Sequence, residues 1–352
     1  MKPSQMPGYI YQKAFGTRSF FYVGGTRKGE LGKQYMDGQM FVEVYLPEKI
    51  RQPYPIIFFH GAGQTNINWL ITPDGRKGWA DYFVEQGYTV YLAEQPSRGR
   101  SAYHYTPDNP LIYHDLDDLR ERFTSDQGSW LQAAKHDQWP GYGEEDEKAI
   151  FEQFARSQVE YLPDNKRSQE LVLACMEELL SITGPAILLT HSQAGPFGWN
   201  TLDRYPELVK GIVALEPSGP PFSNNLSKPV ALNYGISELP LHFLPEIEKP
   251  EDFKLELLPA PEKGLSDGWI MREIHKLPHF KGKPILLLVS EASYHAQFDH
   301  LTSAFLTQAG VSHDFVRLEQ KGIYGNGHMM MLEKNNREIA GLIHNWLETR
   351  VD

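Results

Sequence analysis

Short, continuous apolar runs recur along this 352-residue chain and alternate with segments that have the periodicity of amphipathic helices. A strand that is apolar on both faces must be covered on both sides, and its alternation with helices is typical of a mostly parallel sheet. We therefore predict an α/β fold, with helices on both faces of a mostly parallel, eight-stranded sheet. The predicted strands are residues 20–23, 40–46, 56–59, 89–93, 186–189, 211–215, 285–289 and 314–318.

The segments between these runs predict helices at residues 77–86, 166–182, 197–205, 296–308 and 336–348. The second of these has Asp164 available as an N-terminal cap and carries Cys175 on its apolar face. Because Cys175 is the only cysteine, an intramolecular disulfide and a cysteine-based zinc site are both excluded.

Two long stretches interrupt the alternation: about 103–162, which is rich in aromatic residues, and about 217–282, which is dense in proline. Both exceed an ordinary connection of about 4–6 residues. We predict that residues 1–352 form a single domain in which these insertions build a cap over the carboxyl edge of the sheet, the alternative being irregular packing with no part in binding.

The charge balance limits the classes of partner. The chain has 34 basic and 45 acidic residues, a net charge of -11, which argues against nucleic acid or an anionic membrane surface as a partner. No apolar run approaches the ~18 residues of a membrane span. The first residues lack the apolar core of a signal peptide, so a cytoplasmic protein and a secreted protein without its leader both remain open. The oligomeric state is open as well, a homodimer included.

A nucleophile candidate follows the strand at 186–189, where the chain reads Thr190-His191-Ser192-Gln193-Ala194-Gly195. A serine on a sharp strand-to-helix turn is the arrangement of a nucleophile elbow, which needs small neighbours because the backbones nearly touch. The pattern G-x-S-x-G is not met literally. The alternative is a serine that only caps the helix.

An oxyanion-binding turn is predicted where the strand at 56–59 runs into His60-Gly61-Ala62-Gly63. Small residues let backbone N–H groups approach a substrate, and Gln193 supplies another N–H directly after the serine. Alone, this segment is equally consistent with a tight turn.

These motifs, together with Glu94–Ser101 after the fourth strand, resemble the α/β-hydrolase fold in spacing and order. Within it the chain looks like a bacterial and fungal carboxylesterase subgroup with an H-S-Q-[AS]-G elbow. The resemblance implies a serine hydrolase with a Ser–acid–His triad that cleaves a carboxylic ester or lactone through an acyl-enzyme, without a cofactor. It also implies that the amides of Ala62 and Gln193 form the oxyanion hole.

The predicted base is His328, in a glycine-rich loop between the last strand and the terminal helix, where a triad histidine has to lie to reach the serine. The subgroup carries a G-N-[SG]-H segment here. His295, Asp299 and His300 suggest a metal cluster only weakly, because the two histidines do not share a helical face, and no metal site is predicted.

Two carboxylates compete for the role of triad acid. Glu216 ends the strand at 211–215, where a buried carboxylate is costly unless paired, and Glu291 follows the strand at 285–289, the commoner place for the acid. The subgroup resemblance favours Glu216; Asp299 is a third candidate.

Trp69, Trp130 and Trp139 are candidates for lining an apolar substrate pocket, although tryptophans of this kind are more often core. The alternatives in function are an amidase or a C–C hydrolase with the same triad, and a hydrolase-like binding protein without catalysis.

Overall fold

The computed structural model describes residues 15–105, 110–124, 128–222 and 232–351. Residues 1–14 lie outside the described residues. The expectation that the chain starts without a signal peptide rests on these residues. Residue 352 and parts of both predicted insertions, residues 106–109, 125–127 and 223–231, also lie outside the described residues.

The central element is an eight-stranded sheet with the order β1-β2-β4-β3-β5-β6-β9-β10. The pairs β1–β2 and β2–β4 are antiparallel, and every other pair is parallel. The mostly parallel sheet predicted from the apolar runs is therefore confirmed. Its strands are β1 (Phe15–Lys28), β2 (Tyr35–Pro47), β3 (Ile56–Phe59), β4 (Val90–Glu94), β5 (Ala186–His191), β6 (Val209–Leu215), β9 (Ile285–Val289) and β10 (Asp314–Arg317), and β7 (Leu255–Leu258) pairs with β8 (Gly268–Met271) separately.

Helices cover both faces of the sheet. Side chains along β3 alternate between two apolar clusters. Ile57 and Phe59 face α5 (Asn165–Thr183) and α6 (Gly195–Arg204), and Ile56 and Phe58 face α2 (Trp79–Glu85) and α8 (Asn336–Arg350). Cys175 lies in the first cluster, on the apolar face of α5, and is unoxidised. The α-helices are α1 (Ile67–Leu70), α2 (Trp79–Glu85), α3 (Leu116–Leu119), α4 (Glu147–Arg156), α5 (Asn165–Thr183), α6 (Gly195–Arg204), α7 (Asp299–Gln308) and α8 (Asn336–Arg350).

The first insertion packs against loops at the carboxyl ends of the parallel strands. Val159 N–H donates to the Gly63 carbonyl after β3 at 2.8 Å. The Trp130 indole N–H donates to the Ala292 carbonyl after β9 at 2.9 Å. Segments that follow different strands are thereby held together above the sheet edge.

The second insertion packs mainly against the side of the sheet that carries α5 and α6. Most of its buried apolar residues belong to the same cluster as α5 and α6: Ile236, Leu241, Phe243, Ile247, Phe253, Met271, Leu277 and Phe280. In the described parts of the chain, no helix has both the length and the apolar character needed to cross a membrane.

Candidate functional site

Ser192 lies on the turn between β5 and α6. β5 ends at His191, a short 3-10 turn covers Ser192–Ala194, and α6 begins at Gly195. The φ angle of Ser192 is +56°, in the left-handed region that residues with a Cβ rarely adopt. A strained serine between a buried strand and a helix has the geometry of a nucleophile elbow.

Two glycines permit close approach of the backbone around Ser192. A Cβ on Gly61 would lie only 3.0 Å from the Cβ of Ser192. A Cβ on Gly195 would overlap the side chain of Pro217, which follows β6. The elbow thus meets the loop after β3 and the end of β6. The glycine that the second contact requires lies one position later than in the G-x-S-x-G pattern.

The buried guanidinium of Arg98 links the predicted oxyanion loop to the elbow. Its Nη1 donates to the carbonyl oxygens of Gly61 at 3.1 Å and Gln64 at 3.0 Å. Its Nη2 donates to the side-chain oxygen of Gln193 at 3.2 Å. Arg98 therefore ties together the segments that carry both predicted oxyanion donors, Ala62 and Gln193. No motif in the sequence assigned it this position.

His328 contacts the carboxylate of Glu216, with its Nδ1 2.5 Å from Oε2. Glu216 directly follows β6, has a φ of +43°, and is fully buried. Its other hydrogen bonds come from the Ser290 N–H at 2.7 Å and the Ser293 hydroxyl at 2.6 Å. The carboxylate is thus well satisfied and fixes one side of the imidazole.

A second buried carboxylate, Glu333, holds the loop that carries His328. It accepts hydrogen bonds from the Gly327 N–H at 2.8 Å and the Asn326 side-chain amide at 2.6 Å. His136, from the first insertion, lies 2.7 Å from the same carboxylate. Glu333 belongs to none of the sequence motifs described above; its position five residues after His328 is the only signal for it in the sequence.

The burial of this pair shifts both of its pKa values. Removal from water raises the pKa of Glu216 to about 7, because the charged carboxylate is disfavoured. The same effect holds the pKa of His328 well below its usual range. At neutral pH the imidazole is therefore neutral and able to accept a proton.

The other two acid candidates bind elsewhere. Glu291 lies 2.7 Å from the Lys135 Nζ and accepts the Gly325 N–H at 3.1 Å. Asp299 lies 3.0 Å from Nδ1 of His295, whose ring stacks on that of His328 with centroids 4.8 Å apart. The structure brings Glu216, rather than either alternative, to His328.

Ser192 and His328 line one small cavity. Ala62 lines it as well, and so do side chains that the sequence analysis did not single out: His114, Arg122, Phe123 and Tyr294. The Nε2 of His114 is buried without a hydrogen-bond partner, while its Nδ1 lies 2.6 Å from Asp118. A larger depression lies between α1 and α4 and is lined by none of the predicted site residues.

The three tryptophans proposed for the pocket do not line this cavity. Trp69 and Trp139 are fully buried and pack on Phe58 and Phe154, respectively. Trp130 is partly buried, with its ring centroid 5.9 Å from that of Tyr294. Trp69 and Trp139 are therefore core residues, and Trp130 packs behind Tyr294, which lines the cavity.

Similarity to known proteins identifies the family of this chain. No family model matches the sequence. The chain is 42% identical over 334 residues to a protein named probable secreted lipase phiG, from Fungal sp. (strain ATCC 74256), covering 94% of this chain and 89% of that protein. A structure described as a novel bacterial esterase matches with a TM-score of 0.66 and 22% identity, covering 97% of this chain and 98% of that one, which shows a common fold. The chain therefore belongs to the family of this fungal lipase, among the carboxylic ester hydrolases with the α/β-hydrolase fold.

Proposed function

We propose that the protein is a serine esterase in which Ser192 is the nucleophile, His328 the general base and Glu216 the triad acid. One observation carries the assignment: His328, whose buried Nδ1 lies 2.5 Å from the Glu216 carboxylate, lines the same cavity as Ser192, a serine held at positive φ. The H-S-Q-[AS]-G elbow and the place of the acid after β6 support membership of the bacterial and fungal carboxylesterase subgroup.

In the proposed mechanism, His328 takes the proton of the Ser192 hydroxyl as its oxygen attacks the ester carbonyl carbon. The negative charge that forms on the carbonyl oxygen is stabilised by the N–H groups of Ala62 and Gln193. Glu216 holds the imidazole tautomer and stabilises the imidazolium. The imidazolium then protonates the leaving alcohol, and water attacks the acyl-enzyme by the same route.

The small cavity favours esters or lactones of modest size. Phe123 and Arg122 of the first insertion border the space in front of Ser192, together with Tyr294. We propose that this insertion is the cap that limits substrate size within a single domain. The name of the fungal relative includes secretion, which favours the secreted alternative over the cytoplasmic one.

The test uses Ser192→Ala, with labelling by a fluorophosphonate and hydrolysis of nitrophenyl esters of increasing acyl length. We expect labelling and turnover to be lost and turnover by the wild type to fall as the acyl chain lengthens. Ser181→Ala is the matched control, because Ser181 is exposed and its hydroxyl bonds only within its own helix, to the Glu178 carbonyl. Retained labelling of Ser192→Ala would refute the assignment, and hydrolysis of amides or diones in preference to esters would refute the substrate class.

A further inference from the structure

A second group of side chains capable of binding a metal lies outside the Ser192 cavity. It consists of Asp203, His242 and His279, whose candidate ligand atoms all lie within 4.8 Å of one another. His242 Nδ1 lies 2.8 Å from Asp203 Oδ2, and His279 Nδ1 lies 3.3 Å from Asp203 Oδ1. Asp203 belongs to the last turn of α6, whereas both histidines belong to the second insertion.

One carboxylate oxygen of Asp203 is buried without a hydrogen bond. The residue is 4% exposed and its Oδ1 makes no hydrogen bond, whereas its Oδ2 accepts the His242 backbone N–H at 3.1 Å and lies 2.8 Å from His242 Nδ1. Among the described residues, its ion-pair partners are only the two histidines. A carboxylate in the last turn of a helix also faces the negative end of the helix dipole. Each of these features favours a bound cation.

The ligand set indicates the class of cation. Two imidazoles and one carboxylate suit zinc and neighbouring transition metals, whereas calcium and magnesium prefer oxygen ligands alone. Zinc–ligand bonds of about 2.0–2.2 Å separate the corners of a tetrahedron by about 3.3–3.6 Å. The His279–Asp203 separation of 3.3 Å already fits this spacing, and the His242–Asp203 separation of 2.8 Å would open by about half an ångström.

The cluster is accessible to an ion and to the water that would complete its coordination. The side chain of His242 is 62% exposed and that of His279 is 36% exposed. His279 Nδ1 also lies 2.7 Å from the Asp203 carbonyl oxygen, so the metal would replace this hydrogen bond and displace its proton.

The other cluster of potential ligands, Glu216, His295 and His328, is fully buried in the proposed catalytic machinery. Its hydrogen bonds are already made, to one another and to Asp299. Metal binding there would remove the proposed base and abolish turnover, whereas metal bound at Asp203 would leave turnover unchanged.

We propose that Asp203, His242 and His279 bind one divalent ion of the zinc class, with water in the remaining coordination position. The ion joins the end of α6 to two separate parts of the second insertion, near residues 242 and 279. Because α6 begins directly after the nucleophile elbow, the ion fastens the insertion to the helix that follows Ser192. This proposal does not depend on the proposed mechanism of ester cleavage.

The test is calorimetric titration of zinc into the full-length protein after removal of bound metal with a chelator. We expect one ion per chain, a rise in Tm with zinc, and an unchanged rate of ester hydrolysis at stoichiometric zinc. Loss of even an outer partner of a metal site weakens binding about 10–100-fold, so His242→Ala and His279→Ala should each weaken it by at least about tenfold. His104→Ala, which removes an exposed imidazole elsewhere, should leave the affinity unchanged.

Three results would overturn the proposal. The first is the absence of saturable zinc binding, including the case in which calcium binds instead. The second is an affinity that neither His242→Ala nor His279→Ala reduces. The third is a loss of hydrolysis in step with zinc occupancy, which would place the ion at Glu216 and His328. Anomalous scattering at the zinc edge would locate the ion directly in each case.

Discussion

Replacement of Glu216 by glutamine tests the proposed triad acid, the triad member for which the sequence offers several candidates. Glu216→Gln keeps the shape of the side chain and an oxygen able to accept the Ser290 N–H. It removes the negative charge beside His328 and presents an amide that competes for the wrong imidazole tautomer. The expected consequence is a lower kcat with little change in KM, because the lost interaction acts mainly on the imidazolium formed in the transition state.

The magnitude follows from the geometry. A 2.5 Å contact between Nδ1 and Oε2 places the two charge centres about 4 Å apart, and with an effective dielectric constant of about 20 their attraction is about 4 kcal/mol. Since about 1.4 kcal/mol corresponds to a tenfold change in rate, kcat should fall about 10³-fold.

The assay compares steady-state hydrolysis of one nitrophenyl ester by Glu216→Gln and Glu291→Gln, with Tm as the check on folding. Glu291 pairs with the exposed Lys135, and such surface pairs are worth only about 0–1 kcal/mol, so this control should retain kcat within a few-fold. The proposed role of Glu216 is refuted if Glu216→Gln is folded and retains kcat within tenfold of the wild type. If Glu291→Gln alone loses turnover, the triad acid is Glu291.

Three further predictions concern pH, packing and the oxyanion loop. In the proposed mechanism the active form has Glu216 ionised and His328 neutral. Because burial raises the pKa of Glu216 to about 7, kcat/KM for an uncharged ester should fall as pH drops through about 7. A rate independent of pH across that range contradicts this. In Gly195→Ala the added methyl group overlaps Pro217, so the free energy of unfolding measured in urea should fall by about 1–3 kcal/mol. Gly341→Ala in α8 is the control: its nearest contact is 3.4 Å away, and the free energy of unfolding should rise by up to about 1 kcal/mol. Equal effects of the two substitutions would contradict the packing argument. Arg98→Met leaves buried carbonyls unpaired, at about 1–3 kcal/mol for each, and should lower both Tm and kcat; unchanged values would show that Arg98 does not hold the loop.

The parts of the fold that the sequence predicted best are the central strands. The boundaries of β3 and β9 match the predicted runs at both ends, because a strand buried on both faces must be apolar throughout. β1 extends well beyond the predicted residues 20–23, since pairing with β2 requires backbone groups and not apolar side chains. The β7–β8 pair was not predicted: its strands are short, and Leu257 and Trp269 are exposed, so no periodic pattern marks them.

At the candidate site, the sequence predicted residues that follow strands and missed residues that arrive from elsewhere. Ser192 and Glu216 directly follow buried strands, so their proximity at the sheet edge could be expected. His114 lies in a loop and Tyr294 begins a short 3-10 helix, and only the three-dimensional path of the chain brings them to the cavity. The grouping of Asp203 with two distant histidines has the same origin, which is why no spacing motif revealed it.

The positive φ angles of Ser192 and Glu216 carry a cost in the stability of this chain. A non-glycine residue in that region costs about 1–3 kcal/mol, a burden that glycine at either position would largely remove. Burial of an ionisable carboxyl at Glu216 adds a desolvation cost that glycine would also avoid. A sequence optimised for thermostability alone would carry neither side chain. Both side chains therefore lower the stability of the fold where they lie, a cost typical of residues needed for chemistry.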